Sequence, residues 1–410
     1  MAKGSTNMKI LVINAGSSSV KYQLFDMAQN LVLAKGICER IGLDRSRVVH
    51  QKSTHKIVRD VVIANHTAAF QHIFELLTEE PWNAISSIHE IDAVGHRVLH
   101  GGSRFSASTL IDEDVIREIK ANIPLGPLHN PANLEGIQAC RKLLPSTPMI
   151  AVFDTAFHQT LPSKAYLYGL PYEYYRKYKI RKYGFHGTSY RYAVKKAEEL
   201  LGSSADHLKL IICHLGNGAS VCAVKDGKCI DTSMGMSPLE GLVMGTRCGD
   251  IDPTVIEYIC ELEKKSIHEV IDILNRQSGF LGLTQGLSSD NRDVEALMLK
   301  GDERGIQAMD VFTYRIRKYI GAYAAAMNGV DAIIFTGGIG EHSSLTRSQI
   351  LSDMTYIGVE LDESLNGQHR NFIQTDTSKV KIMIIPANEE LAIAQDTQWV
   401  LDNMKQERGT

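Results

Sequence analysis

Short apolar runs alternate along the chain with longer segments in which apolar residues recur every three or four positions. Short apolar runs are typical of buried strands, and the longer spacing is typical of amphipathic helices. The clearest predicted strands are Leu11–Ile13, Ile91–Val94, Met149–Phe153, Leu210–Cys213, Ala332–Phe335 and Lys381–Ile385. The clearest predicted helices are Asn133–Leu144, Thr188–Leu201 (ended by Gly202), Asp302–Asn328 and Glu389–Asn403. This alternation predicts an α/β fold.

One stretch of this pattern occurs twice. LVINAGSSSVKYQLFD at Leu11–Asp26 and IICHLGNGASVCAVKD at Ile211–Asp226 each give a strand, a turn of small residues, a second strand and an aspartate. An ungapped alignment places Asn14 over His214, Gly16 over Gly216, Ser19 over Ala219 and Asp26 over Asp226. A weaker repeat relates AVGHRVLHGG at Ala93–Gly102 to AIIFTGGIGE at Ala332–Glu341. Two repeats in one order predict a duplicated α/β domain, with a cleft between two glycine-rich turns.

The turn after the first strand has two interpretations. It lacks the glycine spacing of a P-loop or of a dinucleotide-binding loop, and glycine and serine are also ordinary hairpin residues. However, backbone N–H groups in such turns bind anions, serine hydroxyls donate, and Lys21 adds a positive charge. A duplicated pair of turns favours a nucleotide triphosphate as the ligand over a plain hairpin.

Composition and charge exclude several classes of protein. The 410 residues exceed the usual size of a single core, so two domains are expected. A net charge of −3 does not favour a nucleic-acid partner, and the chain has no run of eighteen apolar residues that would suggest a membrane span. Met1–Asn7 is interpreted as a short disordered leader rather than a secretory signal. The seven cysteines form no C-x-x-C pair, which favours reduced thiols in the cytoplasm.

Nine motifs in unbroken order closely resemble those of the acetate kinase family, which belongs to the duplicated-domain ATPase superfamily of sugar kinases, heat-shock chaperones and actin. They are VINAGSSSVKY (12–22), GHRVLHGG (95–102), PLHNPAN (127–133), AVFDTAFH (151–158), YGFHGTSYRY (183–192), CHLGNGAS (213–220), DTSMGMSPLEGLVMGTRCGDIDP (231–253), FTGGIGEHS (335–343) and PANEELAIAQDT (386–397). The resemblance implies two actin-like (ribonuclease H-like) ATPase domains, the first of residues 8–154 plus 387–410 and the second of residues 155–386. It also implies reversible phosphoryl transfer from ATP to acetate, a Mg²⁺ cofactor with Mn²⁺ as the alternative, and a cytoplasmic homodimer.

The chemistry of such a reaction calls for positioning and charge neutralisation, because a carboxylate nucleophile is already ionised at neutral pH. Arg97 and Arg247 lie in glycine-containing loops, and their planar forks suit carboxylate and phosphate oxygens. By resemblance, Arg97 holds the acyl carboxylate and Arg247 contacts phosphoryl oxygens in the transition state. By the same resemblance His186, before a helix that Thr188 or Ser189 could cap, donates an N–H to a phosphoryl oxygen.

The resemblance assigns the remaining site residues. Glu389 and Asn14 would serve the metal, and Asp154 would orient the substrate or a metal-bound water. The acyl pocket would comprise Leu99, Leu128, Phe185 and Pro238, with His129 in a supporting structural role. The nucleotide would be bound by Lys21, His214, Gly216, Asn217, Gly218, Asp290, Asn291, Arg292, Gly337, Gly338, Ile339 and Gly340. The structural alternatives are surface ion pairs for the arginines, a packed histidine for His186, and helix-start charges for the acids.

Three positions depart from the family pattern. Asn291 stands where phenylalanine is common, Tyr190 where histidine is common, and Cys248 where serine is frequent. Leu99 indicates a tighter acyl pocket than in propionate-preferring relatives, although one methylene discriminates by only ~1–3 kcal/mol. Two other functions therefore stay open: a propionate or butyrate kinase of the same fold, and a non-catalytic ATPase switch.

Overall fold

The structure, a computed structural model, describes residues 8–127 and 129–408, with side chains as far as Gln406. The predicted leader Met1–Asn7 and the predicted pocket residue Leu128 therefore lie outside the described residues. The chain divides into two compact units. The first unit comprises the described residues up to Ala156 together with those from Asn388 onward, and the second comprises Phe157–Ala387. Among the described helices, none combines the length and the apolar character needed to cross a bilayer.

The first unit is built on an eight-stranded sheet. Its strands are β1 (Lys9–Ala15), β2 (Ser19–Asp26), β3 (Leu31–Glu39), β4 (Arg47–Lys52), β5 (His55–Asp60), β6 (Ala93–Val98), β7 (Thr109–Leu110) and β8 (Met149–Phe153). They lie in the spatial order β5-β4-β3-β2-β1-β6-β8-β7. Strands β1, β6 and β8 are parallel to one another, whereas β1 to β5 form an antiparallel meander.

The second unit is built on a five-stranded sheet. Its strands are β9 (Lys209–Leu215), β10 (Ala219–Lys225), β11 (Lys228–Thr232), β12 (Ala332–Thr336) and β13 (Lys381–Ile384). Their spatial order is β11-β10-β9-β12-β13, with β9, β12 and β13 parallel. This matches the arrangement β3-β2-β1-β6-β8 of the first unit, strand for strand and direction for direction. The predicted duplication of an α/β domain is therefore confirmed.

Helices occupy most of the chain between the strands. The α-helices of the described residues are α1 (His66–Thr78), α2 (Glu113–Ala121), α3 (Asn130–Leu143), α4 (Ser163–Tyr166), α5 (Tyr172–Tyr178), α6 (Gly187–Leu201), α7 (Thr254–Glu263), α8 (Ile267–Arg276), α9 (Gly279–Leu283), α10 (Asn291–Leu299), α11 (Glu303–Met327), α12 (Gly337–His342), α13 (Ser344–Leu351), α14 (Glu363–Gly367) and α15 (Glu389–Arg408). Short 3₁₀ helices span Ile88–Glu90, Ile123–Leu125, Ala156–Thr160, Ala205–His207 and Thr355–Ile357.

Both faces of the first sheet are covered, and the period-2 alternation of strand β1 shows how. Leu11 and Ile13 belong to one core, together with residues of α1, α2 and α3. Ile10 and Val12 belong to a second core that includes Ile393 of α15. A strand buried on both faces needs a continuous apolar sequence, which is why β1 appears as an uninterrupted apolar run.

Strand pairing corrects one detail of the repeat. In the first hairpin Asn14 pairs with Lys21, whereas in the second hairpin His214 pairs with Ser220. The second turn is therefore one residue shorter, so beyond the turn the ungapped alignment is offset by one. Asp26 and Asp226 are not equivalent, and Ser220 occupies the position that Lys21 holds in the first unit.

Candidate active site

Four of the predicted site residues lie on one face of the first sheet, the face that α15 covers. On strands β1, β6 and β8, Val12, Ala93 and Val152 point into the core beneath α15. Because side chains alternate along a strand, Asn14, Arg97 and Asp154 share that face at the carboxyl ends of the parallel strands. Lys21 pairs with Asn14 and therefore faces the same way.

Arg97 and Asp154 form a bidentate ion pair at this edge. Arg97 Nε donates to Asp154 Oδ1 at 3.0 Å, and Arg97 Nη2 donates to Oδ2 at 2.7 Å. The Asp154 side chain is 1% exposed and that of Arg97 is 24% exposed. The Asp154 carboxylate raises the pKa of the Arg97 guanidinium, which is thereby held in its charged form.

Glu389 begins α15 beside this pair, with Oε2 4.0 Å from Arg97 Nε. Burial raises the pKa of the Glu389 carboxyl, and the positive charges of Arg97 and Lys21 offset part of that effect. The Glu389 carboxylate thus lies where a second cation would favour its ionised form. With the Asn14 amide it offers the oxygen donors that Mg²⁺ takes alongside water and phosphate.

A cavity of about 210 Å³ opens beside these groups in the first unit. It is lined by Arg97 and Leu99, and by Asn14 and Lys21 from the first hairpin. His129 and Asn133 also line it, together with Ala15, Gly16 and Ser19 of the first turn. Four predicted residues, one of them the apolar Leu99, are therefore brought together around one small chamber.

Asn133 is a residue whose role the sequence argument missed. Its Nδ2 donates to the carbonyl of Ala15 at 2.8 Å, and its Oδ1 accepts from the backbone N–H of Leu99 at 3.0 Å. It therefore ties the first glycine-rich turn to the segment that carries Leu99. The PLHNPAN motif contains Asn133, but a lone asparagine at the start of a helix gives no indication of a bond to a distant strand.

In the second unit, His186 immediately precedes α6 with a left-handed backbone, φ 59° and ψ 21°. The predicted cap at Thr188 or Ser189 is wrong, because the helix begins at Gly187 and His186 is its N-cap. The preceding carbonyl, that of Phe185, is bonded to Nε2 of the buried His158 at 2.8 Å. This left-handed conformation is costly for a residue with a side chain, and such strain recurs at functional sites.

Contacts with a second histidine and with a serine help to fix the His186 ring. It stacks on the ring of His214, with centroids 4.2 Å apart and planes 28° apart. His186 Nδ1 lies 2.8 Å from Ser220 Oγ, and His214 Nδ1 lies 2.8 Å from Ser189 Oγ. Since both Nδ1 atoms engage serine hydroxyls, the two rings are held in one fixed orientation.

Arg247 reaches the same place from the segment between β11 and α7. Its Nη1 donates to the carbonyl of Pro238 at 2.7 Å, which ties the segment to itself. A Cβ atom at Gly218 would lie 3.0 Å from Arg247 Nη2 and 3.7 Å from His186 Nε2. A side chain at 218 would therefore crowd the guanidinium, and the guanidinium and the imidazole Nε2 both border Gly218. Burial lowers the pKa of Arg247.

The predicted acyl-pocket residues are distributed over both units. Leu99 lies in the first unit, whereas Phe185 and Pro238 lie in the second. Phe185 is buried, and the carbonyl of Pro238 is occupied by Arg247. Leu128 lies outside the described residues.

A larger cavity, of about 560 Å³, lies in the second unit and gathers most of the predicted nucleotide-side residues. The predicted residues that line it are Gly216, Asn217, Asp290, Asn291, Arg292, Gly338 and Ile339. Phe280, Glu295 and Ser343 also line it, and none of the three was predicted. Gly337 adopts φ +78°, and a Cβ there would lie 2.7 Å from the carbonyl oxygen of Leu215, so only glycine fits.

The three residues of the Asp290–Arg292 segment have different surroundings. The Asp290 carboxylate caps α10 and pairs with Arg292, whose hydrogen bonds lower the pKa of Asp290 to about 2. Arg292 is largely exposed. Asn291 is buried, with Nδ2 bonded to Glu295 Oε1 at 2.8 Å and with Oδ1 unpartnered within the described chain.

Arg347 forms hydrogen bonds to the glycine-rich helix α12, and the sequence did not indicate this role. It is fully buried and donates from Nη1 to the carbonyls of Gly340 and Glu341, at 2.8 and 3.0 Å. Its Nε and Nη2 bond Asn366 at 2.8 and 2.9 Å. Burial lowers the pKa of Arg347 to about 10, which leaves it charged at neutral pH.

Comparisons with known proteins identify the family of the chain. The model of the acetokinase family matches residues 9–395. The acetate kinase of Thermotoga maritima is 55% identical over 401 residues, which cover 97% of this chain and all of that protein. The acetate kinase of Acetivibrio thermocellus is 52% identical with the same coverage. Among solved structures, Porphyromonas gingivalis acetate kinase has a TM-score of 0.92 at 45% identity, and a propionate kinase from Francisella tularensis has 0.91 at 44%. Both structures match over 96% of this chain and all of theirs.

Proposed function

The chain belongs to the acetokinase family, and from this membership we propose that it transfers the γ-phosphoryl group of ATP reversibly to acetate, giving acetyl phosphate and ADP. It is an ATP-dependent kinase whose acceptor is a carboxylate. The alternative of a non-catalytic ATPase switch has no support, because the near-full-length relatives are named as acetate kinases.

The observation that carries the site assignment is the way Asp154 holds Arg97. A guanidinium has five N–H donors, and Asp154 engages only Nε and one N–H of Nη2. The Nη1 edge can therefore grip a second carboxylate, that of the substrate. Leu99 lines the same small cavity and would contact the acetate methyl.

The second unit would supply the groups that meet the transferring phosphoryl. Arg247 and His186 Nε2 both border Gly218, and each can donate to a phosphoryl oxygen as negative charge develops there. Since the acetate is already ionised, no side chain needs to remove a proton from it. The adenosine moiety would occupy the cavity beside Asn291 and Ile339, and His214, Asn217 and Gly218 would lie on its phosphate side.

Asn14 and Glu389 would hold Mg²⁺. These residues suit the ion chemically. Both Asp154 oxygens accept hydrogen bonds from Arg97, so Glu389 is the carboxylate whose oxygens can coordinate a metal. Burial raises the pKa of Glu389, and a bound cation would favour its ionised form. When bound, the ion would neutralise phosphate charge during transfer. The same oxygen donors suit Mn²⁺.

The cysteines and the exposed aromatic residues bear on the cellular compartment and on the oligomeric state. All seven cysteines are free thiols, which fits a reducing compartment such as the cytoplasm. The short helix α5 exposes Tyr172, Tyr174 and Tyr178, and exposed aromatic residues are enriched at subunit interfaces, in keeping with a homodimer. Light scattering at several concentrations tests the dimer.

Steady-state kinetics with acetate, propionate and butyrate test the function, in both reaction directions. We expect acetate to have the highest kcat/KM, with propionate lower by roughly 10- to 200-fold, the range expected for one methylene in an apolar pocket. Leu99→Ala should reduce the difference in kcat/KM between acetate and propionate, because the smaller side chain leaves room for the additional methylene. A higher kcat/KM for propionate would make the chain a propionate kinase, and ATP hydrolysis without transfer to any of the three acids would overturn the proposal.

A further inference from the structure

The hydroxyl of Tyr190 lies one helical turn beyond His186 and faces the same serine. Tyr190 belongs to α6, and its backbone N–H donates to the carbonyl of His186 at 3.0 Å. Its hydroxyl makes a short hydrogen bond with Ser220 Oγ, the atom that His186 Nδ1 contacts at 2.8 Å. Tyr190 and Ser220 are both fully buried. A tyrosine thus stands at a position where the resembled family commonly has histidine, and it completes a chain of three side chains.

The direction of the protons in this chain follows from counting donors and acceptors. Tyr190 O–H contacts no acceptor of the described chain other than Ser220 Oγ, so it donates to Ser220. Ser220 Oγ has one proton of its own, and among the described residues its other hydrogen-bond partner is His186 Nδ1. The serine therefore donates to Nδ1. Burial raises the pKa of Tyr190 well above its ordinary value, so the first donor in the chain keeps its proton.

We propose that Tyr190 and Ser220 are positioning residues that fix His186 in the tautomer whose N–H is on Nε2. Nδ1 is then an acceptor, and the only N–H of the neutral ring lies on the atom that borders Gly218 together with Arg247 Nη2. In the other tautomer Nε2 would present a lone pair, which repels a phosphoryl oxygen. The stacked ring of His214 keeps the plane of His186 fixed while Ser220 selects the tautomer.

The inference rests on the proposed role of His186 as a donor, but its structural part can be measured without catalysis. Nitrogen-15 NMR of histidine-labelled enzyme distinguishes a protonated from an unprotonated ring nitrogen. His186→Gln identifies the His186 signals among the 15 histidines. We expect protonated Nε2 and unprotonated Nδ1 at a pH where the ring is neutral. The reverse pattern, or an even mixture, would overturn the inference even if the proposed function is correct.

Kinetics test whether the tautomer matters for the reaction. Tyr190→Phe should lower kcat about 2- to 10-fold, the effect of one ordinary hydrogen bond, with the KM of ATP and of acetate little changed. Ser220→Ala should lower kcat further, by about 10- to 100-fold, as Nδ1 loses its donor. Tyr22→Phe is the matched control, because Tyr22 is also buried and also bonded to a histidine, His50, in the first unit. It should leave kcat unchanged.

A double-mutant comparison separates a tautomer effect from a packing effect. In His186→Gln, the side-chain amide donates without a choice of tautomer, so adding Tyr190→Phe should cause no further loss of kcat. An equal loss in both backgrounds would show that Tyr190 acts through packing and would overturn the inference. Parental kcat in His186→Ala would instead overturn the proposed donor role of His186, while the NMR result would still decide the tautomer.

Discussion

Arg97 and Asp154 meet edge to edge, through two parallel hydrogen bonds, although 57 residues separate them in sequence. Strands β6 and β8 are parallel neighbours, and both side chains lie on the α15 face at the strand ends. The arginine that we assign to substrate binding is therefore also the partner of a buried carboxylate. Any change at position 97 has two consequences, one for acetate and one for the stability of the first unit.

Arg97→Ala should raise the KM of acetate more clearly than it lowers kcat, because Arg97 would grip the carboxylate in both the ground and the transition state. It should also destabilise the protein by about 3–5 kcal/mol, because Asp154 would remain buried without a partner. Urea unfolding and acetate titration measure the two effects. Adding Asp154→Asn should recover most of the stability and none of the affinity. If the double variant regains the parental acetate KM, Arg97 does not bind the substrate.

Arg247→Ala should lower kcat by about 10³-fold with smaller changes in KM, since its Nη2 would meet charge that develops only during transfer. Arg247→Lys should rescue poorly, because a lysine keeps the charge but loses the fork that also bonds Pro238. Arg315→Ala is the control for loop order. Arg315 bonds the carbonyls of Gly241 and Asp250 in the same segment, so its loss should reduce stability and leave kcat within a few-fold. Near-parental kcat in Arg247→Ala would leave it as a loop-ordering residue.

Glu389→Gln should raise the Mg²⁺ concentration needed for half-maximal activity. It should also remove the Mg²⁺-dependent part of the loss of activity at acid pH. Burial raises the pKa of Glu389, so on acidification this carboxylate becomes protonated at a higher pH than an ordinary one. The proton competes with the metal, and activity at low Mg²⁺ should therefore fall on the acid side. Saturating Mg²⁺ should move that fall to lower pH. Rate measurements over a grid of pH and Mg²⁺ concentration test this.

The matched control for that experiment is the adjacent Glu390→Gln, which removes a helix-start charge. It should leave the Mg²⁺ titration close to the parental one. If both variants titrate alike, Glu389 is no more than a charge at the start of α15.

Arg347→Met should raise the KM of ATP several-fold without changing that of acetate, because the carbonyls of Gly340 and Glu341 lose the donor that positions α12. The cost in stability should be about 3 kcal/mol, as several buried acceptors become unpaired. Arg317→Met is the comparison, since Arg317 bonds carbonyls at the far end of α13 instead. Isothermal titration calorimetry measures the affinity of each variant for ADP, which should be weaker in Arg347→Met than in Arg317→Met. Equal affinities would show that the arginine stabilises the unit without shaping the nucleotide cavity.

Helices and strands were predicted most accurately from the sequence where a single hydrophobic periodicity extends over the whole element. The helix predicted at Asp302–Asn328 is α11, bounded by Asp302 as N-cap and by Asn328 in the left-handed conformation, so the two residues flank it. The meander β3 to β5 was missed because its strands are partly exposed and mix polar with apolar residues. A strand that is buried on both faces has a continuous apolar sequence that is easily recognised. A partly exposed strand near the edge of the sheet has a much weaker hydrophobic pattern.

Within the candidate site, the sequence indicated the residues that would contact the ligands and missed several residues that hold them in place, among them Ser220, Asn133 and Arg347. Ser220 and Asn133 act through hydrogen bonds to partners 30 to 118 residues away. No local spacing records such a partner, because it is set by strand register and helix packing. The one-residue offset of the second hairpin was missed for a related reason, since an ungapped comparison cannot reveal a deletion inside a turn.

The difference in turn length leaves both hairpins in the same strand register. The turn absorbs the extra residue, because Asn14 pairs with Lys21 in the first unit and His214 pairs with Ser220 in the second. The two equivalent positions therefore differ in chemistry and not in orientation: β2 presents an ammonium group, and β10 presents a hydroxyl. The ammonium group can attract an anion, whereas the hydroxyl can orient a ring nitrogen. A residue inserted within β10 itself, beyond the turn, would exchange the faces of the residues that follow it.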